Sequence, residues 1–315
     1  MATGDKGPGR SAWPQLKRVD AICYSGYRDG QSPATRRYPT SAQVLEDLKL
    51  LAPRFRHLRL YDGSPHAEVV LETIARNGLP FQVMIGAWLD AEVSNPKCPW
   101  GGVYDAKVLA KNRRENDRQL ATAITLANKY PRIVSSVSAG NEATVEWTDH
   151  LVPVPRVIEC VRALKGAVKQ PVTFCENYVP WRDGVLAPLA AEVDFISLHT
   201  YPVWEQKTRD EAIAYTQANY ESVAHRYPGV PVVITEAGWA TRSNGRGIPV
   251  ANADEANQQA YVDALAAWSR DHDVLTFVFE AFDEAWKGSA DPGEPEKHWG
   301  LFTADRHPKL VMRGR

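Results

Sequence analysis

The sequence predicts a single (β/α)8 barrel of the α/β class. Three observations carry that expectation. Eight short apolar segments alternate with amphipathic segments along the chain. The length of 315 residues suits one barrel of roughly 250 residues or more, and no linker or composition shift divides it. Two of the apolar segments, Ile133-Val-Ser-Ser-Val-Ser-Ala-Gly-Asn-Glu142 and Val232-Val-Ile-Thr-Glu-Ala-Gly-Trp239, carry a glutamate at their C-terminal end. That is the end of a strand where barrel folds place their chemistry. A two-domain doubly wound protein is the alternative. It calls for a glycine-rich phosphate turn after the first strand, which Tyr24-Ser-Gly-Tyr-Arg-Asp-Gly matches poorly.

Residues 1–18 are polar and Gly/Pro-rich and read as a flexible N-terminal segment, with the barrel over 19–315. Val19 to Tyr27 reads as the first strand, followed by a polar turn to Pro33. Ser41 suits an N-cap for a helix over Ala42 to Leu51, with Leu45, Leu48 and Leu51 on one side. His57 to Asp62 is the second strand, and Pro65 to Asn77 a helix stopped by Gly78. Pro80 to Leu89 is the third strand, and a long loop precedes a helix over Asp105 to Tyr130. Ile133 to Glu142 is the fourth strand, Pro155 to Val168 a helix, and Pro171 to Trp181 the fifth strand with its loop. Val193 to Pro202 is the sixth strand, Thr208 to Tyr227 a helix, and Val230 to Trp239 the seventh strand. Asn252 to His272 is helical and Val274 to Glu284 is the eighth strand, leaving room only for a short or missing last helix.

Charge is nearly balanced, with 37 basic and 38 acidic residues, so neither nucleic acid nor an anionic membrane is expected as a partner. There is no apolar run of 18 or more residues to span a membrane. The start lacks the apolar core of a signal peptide, so the chain is either cytosolic or, with a leader removed, periplasmic or secreted. The four cysteines show no paired spacing, and Cys23 and Cys175 inside apolar runs read as buried thiols. No cofactor motif and no metal-ligand cluster stands out.

Alternation along each strand sorts the polar residues. Arg59 goes with Tyr61, His199 with Tyr201, Ile234 with Glu236, and Glu280 with Glu284. If these faces point inward, one rim gathers Glu142, Glu236, Glu284, Arg59, Tyr61, His199 and Tyr201. Paired carboxylates at opposed strand ends suit glycoside cleavage, in which one donates a proton to the leaving oxygen and the other attacks the anomeric carbon. On that reading Glu142 is the acid/base and Asn141 binds the neighbouring sugar hydroxyl. Glu236 is the nucleophile, kept anionic by Tyr201 and Arg59. Trp88, Tyr178, Trp181, Trp204, Trp239 and Trp286 follow or end strands on the same rim, where sugar faces stack on such rings. Glu284 with Lys287 is either a loop-shaping ion pair or a direct sugar contact.

The ordered set Tyr24 to Pro33, Leu58-Arg-Leu-Tyr-Asp62, Gly140-Asn-Glu142, His199-Thr-Tyr-Pro202, Ile234-Thr-Glu-Ala-Gly-Trp239, Phe279 to Lys287 and His298-Trp-Gly-Leu-Phe302 resembles glycoside hydrolase family 17, most closely its bacterial branch. The match runs from about Val19 to Lys309. The resemblance implies a clan A (β/α)8 barrel, retaining chemistry and β-1,3-glucan as substrate. It puts the family's acid/base on Glu142 beside Asn141, its nucleophile on Glu236, its acidic and basic pair on Glu284 and Lys287, and its second-strand tyrosine on Tyr61. Tyr24 falls within the first matched motif and is a candidate for substrate binding. The chain departs from plant members at Ala237-Gly-Trp-Ala, where they tend to carry Ser-Gly-Trp-Pro, which weakens any transfer of plant substrate preference. The family holds both hydrolases and transglycosylases, and the bacterial resemblance leans toward glucan transfer. A non-catalytic glycan-binding barrel would lack one of the two carboxylates. A Schiff-base aldolase would need a lysine inside a strand end, and a metal hydrolase more ligands than His199.

Overall fold

The computed structural model describes residues 21–314. The segment 1–18 and the first two residues of the expected first strand lie outside the described residues. Eight parallel strands close into a barrel in chain order. They are β1 (Ala21–Cys23), β2 (His57–Arg59), β3 (Gln82–Gly86), β4 (Val134–Asn141), β5 (Val172–Asn177), β6 (Ile196–His199), β7 (Val232–Gly238) and β8 (Thr276–Phe279). β1 pairs with β2 on one side and β8 on the other, so no edge is left open. The helices are α1 (Ser41–Leu51), α2 (Pro65–Asn77), α3 (Ala106–Lys129), α4 (Val154–Ala167), α5 (Tyr178–Arg182), α6 (Ala187–Ala190), α7 (Arg209–Arg226) and α8 (Glu255–Asp271). The (β/α)8 expectation is what the chain forms.

Local chemistry sets the element ends. Pro65 opens α2, and Gly78 closes it in the left-handed conformation, at φ 60°, donating its N–H to Ile74 O. The cap of α1 is Thr40, one residue before the expected Ser41. Its hydroxyl accepts from Gln43 N–H while the Gln43 side chain accepts from Thr40 N–H, a reciprocal box that Ser41 cannot make. Several strands are shorter than the apolar runs that announce them. Tyr24, Leu60, Ala281 and Phe282 lie just past the ladder ends yet stay buried, because the rim loops pack over the barrel mouth. Past β5 the expected loop is instead α5, capped by the Asn177 side chain.

Register shifts lie between Ser138 and Asn141 where β4 meets β5, and between Ile234 and Ala237 where β7 meets β8. Each shift re-aims the strand end that carries one of the two glutamates. Gly140 enables the first. Its φ is 117°, and an added Cβ would meet the Phe174 ring at 2.9 Å and Leu89 at 3.0 Å.

Among the described residues no α-helix follows β8; two three-residue 3-10 turns, Pro295–Lys297 and Leu310–Met312, lie in the tail. The tail is fastened by charge instead. Arg306 pairs with both carboxylate oxygens of the fully buried Asp47 on α1, at 2.8 and 2.9 Å, and Asp47 also receives Arg28 at 2.9 Å and Tyr24 Oη at 3.0 Å. Replacing Asp47 with alanine leaves the buried Arg306 guanidinium without its counter-charge. The expected loss is about 3–5 kcal/mol, read as a lower urea midpoint with an unchanged m-value.

Candidate active site

Arg59, at the end of β2 and 2% exposed, is the hub of the barrel mouth. One arm of its guanidinium donates to Glu236 Oε1 and the other to Asn141 Oδ1. Its plane lies over the Tyr61 ring, 4.4 Å from the centroid. With Oδ1 engaged, the Asn141 amide keeps its NH2 as a donor. The main chain of Asn141 is fixed as well, since its carbonyl faces His150 Nε2 at 2.9 Å, and His150 stacks on Trp88.

Glu236, on β7, is almost fully buried. Its Oε2 accepts from Tyr201 Oη and lies 3.5 Å from His199 Nδ1. Burial favours the neutral acid, but the His199 and Arg59 charges and the Tyr201 hydroxyl outweigh it, so the carboxyl sits below its ordinary value.

Glu142, just past β4, follows Gly140 into the left-handed region with φ 44°. Its N–H donates to Cys175 O at 2.9 Å. A non-glycine residue in that conformation costs roughly 1–2 kcal/mol, and here it turns the carboxylate into the cleft beside His199. The His199 Nδ1 to Glu142 Oε1 distance is 2.8 Å. One oxygen of Glu142, one oxygen of Glu236 and a nitrogen of His199 all lie within 4.8 Å of one another. The neighbouring carboxylate Glu176 holds the loop after β4, accepting from Thr144 N–H at 2.8 Å, Thr144 Oγ1 at 2.6 Å and Asn177 N–H at 2.7 Å. Burial and the Glu142 charge push its pKa up to about 7.

Beyond β8, Lys287 Nζ bridges Glu280 Oε2 at 2.6 Å and Glu284 Oε2 at 2.7 Å. Glu284 is fully buried and also accepts from Ser25 Oγ at 2.7 Å and Trp286 Nε1 at 3.0 Å. The ion pair is present, with Glu284 fully buried in it. Glu296 stands half-buried nearby with its pKa pushed up to about 7, chiefly by burial, with Glu142 and Glu236 adding and Lys287 opposing.

The structure gathers Arg59, Tyr61, Asn141, Glu142, Tyr201 and Glu236 at one mouth. Tyr201 packs edge-on against Trp299, whose ring also lies against Trp204, so Trp204 stands half-buried beside the same mouth. Trp286 is 37% exposed, its ring edge against Tyr27. Four candidates for sugar contact lie outside the gathering. Tyr24 is 1% exposed and spends its hydroxyl on Asp47. Trp239 is fully buried, with its N–H on Asn252 O. Tyr178 is turned into the α5–α7 contact with its hydroxyl on Tyr215. Trp181 is likewise core, donating to Ser197 O at 3.1 Å. Each packs because an aromatic residue at a strand end can turn inward as readily as outward, and burial leaves no ring face for a ligand.

Sequence reasoning gave no site role to Cys175, Glu176, Trp299 or Glu296, although Cys175 is buried as read and Trp299 lies within a matched motif. Cys175 is fully buried, and burial disfavours its thiolate. The Arg59 and His199 charges prevail, and its pKa falls to about 6. The strand pairing of β5 with β4 and β6 was the signal available for Cys175 and Glu176. Glu296 follows no strand and offers no such signal.

A protein-family description, the BtgE/BtgC glycoside hydrolase domain, matches residues 21–300. A glucan 1,3-beta-glucosidase of Arthroderma benhamiae is 25% identical over 286 residues, which are 85% of this chain and 83% of the relative. The btgC protein of Aspergillus niger is 25% identical over 308 residues, covering 89% of this chain, which spans 41% of that longer relative. Among solved structures, an endo-laminarinase from Formosa Hel1_33_131 superposes with a TM-score of 0.80 at 27% identity, covering 94% of this chain and 86% of the other. A glycoside hydrolase family 17 beta-1,3-glucanosyltransferase from Rhizomucor miehei shares the fold, with a TM-score of 0.69 at 21% identity over 93% of this chain and 96% of that one.

Proposed function

Because this chain belongs to the BtgE/BtgC glycoside hydrolase domain family, of the glycoside hydrolase family 17 type, we propose that it cleaves β-1,3-glucan with retention, through a covalent glycosyl-enzyme, and passes the glycosyl unit to a sugar acceptor in preference to water. Glu236 is the nucleophile and Glu142 the general acid/base. The observation that carries the reading is the approach of the two carboxylates, whose nearest oxygens flank one imidazole nitrogen within 4.8 Å. Retaining enzymes keep their carboxyl groups roughly 5–5.5 Å apart, whereas inverting enzymes leave roughly 6.5–9.5 Å for a water. The names of the Arthroderma and Formosa relatives support β-1,3-glucan as the substrate.

In the first step Glu236 attacks the anomeric carbon while Glu142 protonates the leaving oxygen. In the second Glu142 takes the proton of the acceptor as the ester to Glu236 breaks. Arg59 and Tyr201 keep Glu236 anionic and aimed. The Asn141 NH2 is the donor for the hydroxyl beside the reacting carbon, in a contact that tightens in the transition state. Half-buried Trp204 and exposed Trp286 offer ring faces for further sugars. The preference for transfer rests on the resemblance to the bacterial branch.

Incubation with a defined β-1,3-gluco-oligosaccharide at millimolar concentration, followed by mass spectrometry and linkage analysis, tests both parts. Products longer than the substrate are the expected result. Only shorter products would make water the acceptor, and an unchanged substrate would overturn the β-1,3 assignment.

A further inference from the structure

His199 takes no part in the proton transfers of the reading above, yet it is fully buried between the two carboxylates. Its Nδ1 lies 2.8 Å from Glu142 Oε1 and 3.5 Å from Glu236 Oε2. We infer that His199 is the proton reservoir of the reaction, holding on Nδ1 the proton that Glu142 delivers to the leaving oxygen and taking it back when the acceptor attacks. The inference rests on the assignment of Glu142 and Glu236 made above and gives that pair its means of cycling.

The groups around the ring decide its charge. From β4 it faces Glu142, from β7 Glu236, and from β5 the Cys175 thiol. Tyr201, two residues on, and Arg59 both reach it through Glu236. Burial alone would neutralise the imidazole, but the Glu236 charge, the Cys175 contact and Glu142 outweigh it and raise its pKa to about 10. Arg59 cannot serve in its place, because a guanidinium does not give up its proton in a protein.

The proton count closes. In glycosylation the bond from C1 to the leaving oxygen breaks and the bond from C1 to a Glu236 oxygen forms. The proton moves from His199 Nδ1 through Glu142 Oε1 to the leaving oxygen, and the imidazole is left neutral. The three groups together carry the same net charge before and after. Ester formation also removes the Glu236 charge that stood 3.5 Å from Nδ1. The imidazolium therefore loses the counter-charge of Glu236 at the moment the leaving oxygen needs the proton. In deglycosylation the acceptor O–H breaks, its proton returns through Glu142 Oε1 to Nδ1, and the Glu236 carboxylate is restored as its bond to C1 breaks.

The test compares wild type with His199→Asn on two substrates. One is an unactivated β-1,3-gluco-oligosaccharide. The other carries a 2,4-dinitrophenyl group, which leaves without needing a proton. The variant should lose about 100-fold on the oligosaccharide at pH 7, in line with the 10²–10⁴-fold worth of general acid catalysis. That loss should exceed the loss in the dinitrophenol burst by at least about 30-fold, and the basic limb of kcat/KM should move down by about one pH unit or more. Equal losses on both substrates with unmoved limbs would overturn the reservoir and leave His199 a structural residue. The wild-type protein supplies a second measurement that needs no folded variant. The 15N shifts of His199 should report imidazolium in the free enzyme and neutral imidazole once Glu236 carries a trapped 2-fluoroglycosyl group. The same protonation state in both forms would overturn the inference. Failure of any adduct to form on Glu236 would instead defeat the double-displacement reading on which it stands.

Discussion

Replacing Glu236 with alanine is expected to reduce turnover of β-1,3-gluco-oligosaccharide by about 10⁴-fold or more, because no covalent intermediate can form. The same change leaves the Arg59 guanidinium and the His199 imidazole facing a small void without their shared counter-charge. Alanine at this position should therefore also lower stability, and Glu236→Gln, which keeps the shape, separates chemistry from folding. Both variants should show wild-type far-UV circular dichroism below their unfolding transitions. With a dinitrophenyl glycoside, added azide should restore part of the activity of the alanine variant by entering the vacated space and forming the α-glycosyl azide. Near wild-type rates in the alanine variant without azide would remove Glu236 from the mechanism.

The second large effect is expected at Arg59. Its guanidinium bonds both Glu236 and Asn141, and it is 2% exposed. Arg59→Gln removes a cation from beside a buried carboxylate, with an expected cost of about 3–5 kcal/mol in urea denaturation. The acidic limb of kcat/KM should move to higher pH, because Glu236 then holds its proton more tightly. The direction follows from linkage. Glu236 is held below the ordinary carboxylate range in the folded protein, so its contribution to stability is fully present above about pH 4.3 and fades as pH falls through the folded value. In the variant that stabilisation shrinks, and the acid side of the stability profile flattens. Turnover should fall about 100-fold, since positioning of both the nucleophile and the Asn141 amide is lost. An unmoved acidic limb would mean that His199 and Tyr201 suffice to keep Glu236 ionised.

The barrel was legible because its signals repeat. Apolar strands ending in turns recur eight times, and where punctuation is strong the ends are legible too. α2 runs from Pro65 to Asn77 as read, since proline at its start and glycine past its end leave the backbone little choice. Strand ends were less legible. Rim residues such as Tyr24 and Phe282 stay apolar after the ladder has stopped, so the apolar run outlasts the strand. Simple alternation brought Arg59, His199, Tyr201 and Glu236 to one place. It could not foresee the register shifts after Ser138 and Ile234 that aim the glutamates.

Aromatic residues were the weakest guide. Trp286 and Trp239 both follow strands, yet one is 37% exposed and the other fully buried, and composition offers no way to tell them apart. The charged environment of Cys175 was hidden for a related reason. An apolar run announces burial, and nothing in it says that the buried thiol will face an arginine and a histidine from other strands. Glu284 could be paired with Lys287, three residues on, but its bond to Ser25 from the opposite end of the chain could not be foreseen.

The most direct test of the double displacement is to trap its intermediate. A 2,4-dinitrophenyl 2-deoxy-2-fluoro-β-glycoside of a β-1,3-linked disaccharide should release one equivalent of dinitrophenol and then stall. Peptide mapping of the product should find the fluoroglycosyl mass on the peptide that contains Glu236. A label on any other carboxylate, or turnover without a trapped species, would contradict the account.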